Sequence, residues 1–133
     1  MGHRIQTGNR SQVGFTLLEL LIVLLVIALL ASVASPVVTG SLIRAKEAAL
    51  RENLYVMRKA IDDYYADKGK YPESLDALVT DKYVRKIPPE PILDVGDGWR
   101  LRWEEGVSDD PGIIDIYSGS DEQGTDGTRY SDW

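Results

Sequence analysis

The longest apolar run lies near the start of the chain. Residues 20–43 contain no charged residue, and most of them are Leu, Ile, Val or Ala. A helix that spans a bilayer needs about 20 apolar residues, so this run is long enough to cross a membrane. The apolar residues begin abruptly at Phe15, and a single carboxylate, Glu19, interrupts them. The pattern therefore predicts a membrane helix near the N-terminus.

Beyond this run the apolar residues narrow to one helical stripe. Successive members lie three or four residues apart, except for a final step of one: Leu50, Leu54, Met57, Ile61, Tyr64 and Tyr65. Charged residues occupy the other faces, where Glu47 and Arg51 have the i, i+4 spacing of a helical ion pair. We expect the stripe to pack on a globular part.

The same helix is predicted to be continuous across both patterns. No Gly or Pro interrupts residues 41–66, and a Gly and a Pro follow soon after as a stop signal. We therefore predict one helix from near Phe15 to near Asp67, with Pro36 and Gly40 as candidate bends.

The rest of the chain predicts a small sheet. A short helix is indicated over residues 74–79, and the three prolines within residues 83–91 indicate an extended segment. Residues 99–104 alternate with period two and residues 113–117 form a second strand candidate, with a hairpin-type connection over 105–112. An antiparallel pair packed against the helix stripe gives an α+β fold. The aromatic strand suits this core better than a ligand platform, because the chain is acidic.

Composition excludes several classes of function. The chain has 133 residues, with 15 Lys and Arg against 21 Asp and Glu, and a formal net charge of -6. This balance predicts no nucleic-acid partner, because phosphate binding needs a basic face. The absence of Cys excludes disulfides and thiol nucleophiles, and a single histidine, His3, speaks against a catalytic triad. A small domain without disulfides usually gains stability from a metal or a partner.

The residues alone leave two questions about the N-terminal segment open. A secretory signal is one alternative, with a small-x-Ala cut site that ends at Ala34. The apolar run continues past Pro36, however, and a carboxylate has no evident use in a signal core. Glu19 itself is either a functional, paired acid within the membrane or close enough to the helix end to reach the lipid headgroups.

The hexapeptide Gly14-Phe15-Thr16-Leu17-Leu18-Glu19, after a short basic leader, resembles the processing site of type IV pilin-like proteins. The resemblance implies that a prepilin peptidase cuts between Gly14 and Phe15 and that Phe15 is then N-methylated. It also implies a type IV pilin-like fold in three segments: a cleaved leader (1–14), a membrane and assembly helix (15–40), and a globular periplasmic domain (41–133).

The spacing within this motif has a chemical logic. A cut after Gly14 frees an α-amine on Phe15, and residues four apart share a helix face. Our hypothesis is that Glu19 pairs with this amine, either within its own chain or on an adjacent subunit of a filament. An ion pair in a low dielectric is strong only while both partners are present, so the loss of Glu19 would strand a cation.

The C-terminal segment is acidic and rich in glycine. Asp121, Asp126 and Asp132 are interleaved with Gly, Ser and Thr, a composition that suits the oxygen ligands of calcium. The spacing is not that of an EF-hand. The residues alone therefore leave two hypotheses, a metal loop or a solvated acidic tail that Tyr130 and Trp133 anchor to the core.

Residues 115–121, followed by an Asp- and Gly-rich loop that ends near a Trp, resemble the C-terminal part of the major pseudopilins of type II secretion systems. The resemblance implies a structural calcium ion, with Asp121 and Asp126 as carboxylate ligands, Asp132 as a third, and carbonyl ligands from Gly119 or Thr125. The loop is shorter than the usual family version and lacks its denser run of Asp before the Trp.

The resemblance implies a structural function. The expected protein is a subunit of a homo-oligomeric helical filament, a pseudopilus, that grows from the inner membrane into the periplasm and assists secretion across the outer membrane. The implied partners are prepilin peptidase, an inner-membrane assembly platform and minor pilin-like subunits. A separate ATPase would supply energy, because the chain contains no P-loop.

Three other functions are alternatives to this one. A type IV pilin or minor subunit of a surface filament shares the same N-terminal motif. A membrane-anchored periplasmic binding module would need a pocket, on which the sequence is silent. An enzyme would need an acid pair such as Asp109/Asp110 or Glu104/Glu105, but adjacent acids point to opposite faces of a strand and are usually solvated beside Gly or Pro. We therefore expect no enzyme.

Overall fold

The computed structural model describes residues 2–3, 14–106 and 109–133. In chain order, the elements are helices α1 (Leu17–Lys68) and α2 (Leu75–Thr80), strands β1 (Trp99–Trp103) and β2 (Ile113–Ser118), and a 3-10 helix (Tyr130–Asp132). The chain divides after Thr39 into two compact units, the second of which is Gly40–Trp133. Most of the predicted leader, and residues 107–108 of the predicted hairpin connection, lie outside the described residues.

The first unit contains the apolar half of α1. Its leucine, isoleucine and valine side chains are exposed in the single chain, and this helix is long and apolar enough to cross a membrane. Pro36 lies inside the helix without ending it. The Thr39 hydroxyl donates to the Ser35 carbonyl (3.0 Å), one of the local bonds that satisfy backbone oxygens near the proline. The predicted continuous helix is confirmed to within two residues at each end.

The second unit is built on the predicted stripe of α1. Leu50, Met57 and Ile61 are fully or almost fully buried, and the stripe packs with Leu78 of α2 and with residues of both strands in one apolar cluster. Tyr65 is a correction to the prediction, since it is 46% exposed. It lies one residue, or about 100°, beyond the stripe, and its ring stacks on Tyr71 with centroids 4.4 Å apart.

The two strands pair antiparallel as predicted, with Trp99 opposite Ser118 and Leu101 opposite Ile116. The register shifts between Arg102 and Trp103. An irregularity of this kind turns the following side chain away from the face that alternation assigns to it. Trp103, predicted to share a face with Trp99, is accordingly 41% exposed, whereas Trp99 is buried.

The segment before β1 is fixed by side chains. The Ser118 hydroxyl donates to the fully buried carboxylate of Glu90 (2.9 Å), and the Trp99 indole donates to the Pro88 carbonyl (2.7 Å). The Ser74 hydroxyl caps α2 by accepting from the backbone of Ala77. The bonds from Ser118 and Trp99 hold the extended segment against β2 and β1, and the predicted α+β fold is confirmed.

Candidate functional site

The predicted processing site lies directly before α1. Gly14, Phe15 and Thr16 are outside the helix and exposed, and the Phe15 side chain is 87% accessible. The Gly14–Phe15 bond is therefore presented in an accessible form.

Thr16 and Glu19 form a reciprocal cap at the start of the helix. The Glu19 N–H donates to the Thr16 hydroxyl (3.2 Å), and the Thr16 N–H donates to the Glu19 carboxylate (3.4 Å). This capping box satisfies two of the free donors at a helix N-terminus. The Thr-x-x-Glu pattern is the sequence signal for this cap, and the cap is not among the predictions made above. Pairing of Glu19 with a Phe15 amine stays a prediction, since that amine exists only after a cut.

The predicted calcium ligands do not converge. Asp121 lies 3.5 Å from Arg100, whereas Asp126 accepts from the Thr128 backbone (2.9 Å) and lies 3.9 Å from Arg51. Asp132 belongs to the 3-10 helix. Within the described ranges, no three His, Cys, Asp or Glu side chains are grouped closely enough to hold a metal ion.

The two candidate carbonyl ligands are tied down through their own backbone N–H groups. The Gly119 N–H donates to the Gly98 carbonyl (2.8 Å), and the Thr125 N–H donates to Glu47 (2.7 Å). Calcium stays a prediction from resemblance, because among the described residues the acidic side chains form no group of three around one point.

A carboxylate on helix α1, predicted from its spacing to form an ion pair along the helix, instead binds the C-terminal loop, residues 120–133. Glu47 is only 2% exposed, and three donors surround it: the Thr125 N–H (2.7 Å), the Thr125 hydroxyl (2.7 Å) and the Tyr130 hydroxyl (2.9 Å). The bond from the Thr125 hydroxyl is the main reason that the pKa of Glu47 lies below its usual value, against the opposing effect of burial. Glu47 and Arg51 do not form the predicted salt bridge, since Arg51 lies beside Asp126, but the Arg51 charge contributes to the lowered pKa of Glu47.

The sequence does contain a signal for this role. Glu47 precedes Leu50 by three residues, a spacing that places it on the buried stripe rather than on a solvated face. A carboxylate on a buried stripe needs donors, but their identity is not written in the local pattern.

The aromatic residues close the loop as predicted. Tyr130 is buried, and its ring meets Trp133 edge-on at 5.0 Å. Burial, followed by the bond to Glu47, raises the pKa of Tyr130 to about 12. The Trp133 indole donates to the Thr128 hydroxyl (2.6 Å), and the Arg51 guanidinium lies 4.2 Å from the centre of the Trp133 ring.

Arg58 joins the helix to β2 and to the end of the described loop. Its guanidinium donates to the Asp115 carboxylate (2.8 Å) and to the carbonyls of Ile116 (2.9 Å) and Trp133 (2.7 Å). Burial acts to raise the pKa of Asp115, but hydrogen bonds from Ile116, Tyr117 and Arg58 outweigh it and hold the pKa below its usual value. Glu47, Arg51 and Arg58 thus form a polar row along α1 that fastens the C-terminal loop.

Comparisons with known proteins find relatives of the N-terminal motif and of most of the chain. Residues 9–35 match the prokaryotic N-terminal methylation motif. The type II secretion system core protein G of Klebsiella michiganensis is 30% identical over 136 residues, which cover 90% of each chain. The proteins of the same name from Vibrio cholerae and Aeromonas hydrophila are 29% and 30% identical, over 90% and 93% of this chain and 88% and 90% of theirs. No solved structure matches.

A long N-terminal helix packed on a small antiparallel sheet, behind a methylation motif, defines the type IV pilin-like class of protein. Identity at this level over nine-tenths of both chains goes further than the class. The chain belongs to the family of type II secretion system core protein G, the major pseudopilins.

Proposed function

We propose that prepilin peptidase cuts this pseudopilin between Gly14 and Phe15, that Phe15 is N-methylated, and that the product polymerises into a periplasmic pseudopilus. The filament grows from the inner membrane, with residues 41–133 on the periplasmic side, and assists secretion across the outer membrane. One observation carries the proposal: the Gly14–Phe15 bond is exposed and non-helical directly before a membrane-length helix, inside the matched methylation motif.

Assembly follows from the apolar half of α1. Its side chains find no partner within the described single chain, whereas lipid or the helices of other subunits bury them. After the cut, the Phe15 amine arises one residue before the Thr16–Glu19 capping box. We infer that Glu19 then pairs with this amine, its own or a neighbour's, because an uncompensated cation is costly once it is buried among the apolar helices of a filament.

The proposed function is structural rather than catalytic. Glu104 accepts from the Gly112 backbone (2.9 Å), and Asp110 occupies the left-handed region with a φ of 52°. These are the features of turn residues. The proposed partners are therefore those of a filament subunit: prepilin peptidase, the inner-membrane assembly platform, minor pilin-like subunits and further copies of the chain.

The first experiment is the mass of the mature protein, coexpressed with prepilin peptidase and the assembly platform. We expect a chain that begins at N-methylated Phe15. A chain that begins at Met1 or Ser35 would overturn the processing step, because it would show an uncut anchor or an ordinary secretory signal.

The second experiment compares Glu19→Ala with Glu73→Ala, which removes an exposed acid far from the motif. Both proteins should insert in the membrane and be cut. Only Glu19→Ala should fail to yield filaments in sheared fractions viewed by immunoelectron microscopy. Filaments of normal abundance with Glu19→Ala would refute the assembly role of this carboxylate.

A further inference from the structure

We propose that the Glu47 carboxylate fastens the C-terminal loop, residues 120–133, to helix α1 without a metal ion. It would take the place of the calcium ion that the family resemblance implies. The loop would then fold and stay closed in the absence of calcium.

The C-terminal loop directs three hydrogen-bond donors at the Glu47 carboxylate. Thr125 contributes its backbone N–H and its hydroxyl, and Tyr130 contributes a second hydroxyl. Together these donors form an anion-binding site, and the Glu47 carboxylate occupies it. A calcium ion needs six to eight oxygen acceptors, whereas at this point the loop presents donors, and the described acidic side chains form no group of three.

Two of the loop carboxylates, Asp121 and Asp126, have partners other than the residues that bind Glu47. Asp121 lies beside Arg100, and Asp126 accepts from the Thr128 backbone and hydroxyl while Arg51 lies 3.9 Å away. Each carboxylate is therefore already next to a cation or to donors. A metal ion would compete with Arg100 at Asp121 and with the two Thr128 donors at Asp126.

The loop backbone passes very close to Glu47 at Gly124. A Cβ at Gly124 would lie 2.7 Å from the Trp133 ring, 3.1 Å from the Tyr130 ring and 3.2 Å from the Glu47 carboxylate. Only a residue without a side chain lets the Gly124–Thr125 backbone come this near. A bond from the Gly124 N–H to the Thr128 carbonyl (2.8 Å) then closes the turn locally, without an ion.

Because the site is buried, the Glu47 carboxylate and its donors depend on each other for hydrogen-bond partners. A carboxylate that is 2% exposed would lack partners without Thr125 and Tyr130, and both donors would lose their acceptor without Glu47. In the part of the chain that the structure describes, no buried side-chain nitrogen or oxygen lacks a hydrogen-bond partner, so the site is complete as it stands.

The test uses the full chain in detergent micelles, with two measurements on the wild-type protein. The first is the thermal unfolding midpoint, followed by near-ultraviolet circular dichroism, in millimolar calcium and in chelator. The second is terbium luminescence sensitised by the protein's aromatic side chains. We expect the same midpoint in both solutions and no saturable terbium emission. A midpoint that rises in calcium, or emission that saturates and is displaced by calcium, would overturn the proposal.

Variants then test the role of the carboxylate. Glu47→Gln and Thr125→Val should each lower the midpoint, and the double variant should lower it by less than the sum of the two effects, because both remove the same bond. Glu52→Gln, an exposed acid on the same helix, is the matched control and should leave the midpoint unchanged. A midpoint for Glu47→Gln equal to that of the control would refute the attachment.

This inference does not rest on processing or assembly. Its residues all lie in the second unit, so the measurements apply equally to cut and uncut chains. A failure here would leave the proposed function standing, and the reverse is also true.

Discussion

Replacing Arg58 by Met removes one charged group that joins three parts of the second unit. The guanidinium donates to Asp115, to the Ile116 carbonyl within β2 and to the Trp133 carbonyl in the C-terminal loop. Met keeps most of the apolar stem that packs along α1, so the change isolates the polar contacts.

The magnitude follows from the three bonds and their partial exposure. Hydrogen bonds to charged groups contribute about 1.5–3 kcal/mol each when they are well buried. The Arg58 and Asp115 side chains are 35% and 26% exposed, so solvent screening reduces this contribution. We therefore expect Arg58→Met to lower the free energy of unfolding by about 3 kcal/mol. For a domain of this size, that loss lowers the unfolding midpoint by roughly 15 °C.

The assay is thermal unfolding of the full chain in micelles, followed by near-ultraviolet circular dichroism of the tryptophans. Lys59→Met is the matched control, because Lys59 is the next residue and its ion pair among the described residues, with Asp63, is exposed. We expect the control to lose no more than about 0.5 kcal/mol. Equal midpoints for Arg58→Met and Lys59→Met would show that the three bonds contribute nothing beyond a surface ion pair.

Three further predictions concern the same unit. The depressed pKa of Asp115 stabilises the fold above 3.8, the ordinary Asp value, and this contribution is lost as the pH falls through the folded-state pKa. Urea titrations should therefore show a constant stability gap between wild type and Asp115→Asn above that pH, and a shrinking gap below it; a gap that widens in acid contradicts the shift. Gly112→Ala should destabilise strongly, because its Cβ would lie within 2.9 Å of the Tyr71 backbone, whereas the open Gly96 should tolerate Ala in the same melting experiment. Met57→Ala should cost about 2–5 kcal/mol in urea unfolding, since Met57 is fully buried; a loss below 1 kcal/mol, on the order of a surface substitution, would show that the stripe is loosely packed.

Local patterns made much of the fold predictable. The membrane half of the long helix follows from an unbroken apolar run, its other half from a period of 3.6 residues and the first strand from a period of two. All three patterns depend only on near neighbours in sequence. Tyr65 and Trp103 were placed wrongly because each lies at the edge of its pattern. One lies a single step beyond the helical stripe, and the other follows a shift in register that alternation does not encode.

The C-terminal loop was harder to predict, for a physical reason. Its composition suggests carboxylates that gather around a cation, whereas the structure turns its donors toward a carboxylate on α1. The two residues that bond to Glu47 lie 78 and 83 positions further along the chain. No local period links residues so far apart, so only the spacing of Glu47 from Leu50 hinted that it is buried.

This separation also has a consequence for the order in which the protein is made. The ribosome releases Glu47 early, and about a further 80 residues must be polymerised before Thr125 and Tyr130 follow, which at 5–20 residues per second takes about 4 to 16 seconds. During that interval the nascent helix carries a carboxylate at the start of its apolar stripe, without the Thr125 and Tyr130 donors that bond to it in the folded domain. The domain can therefore close only after Tyr130 has been synthesised, and we expect chains that stop before residue 125 to stay open to proteolysis.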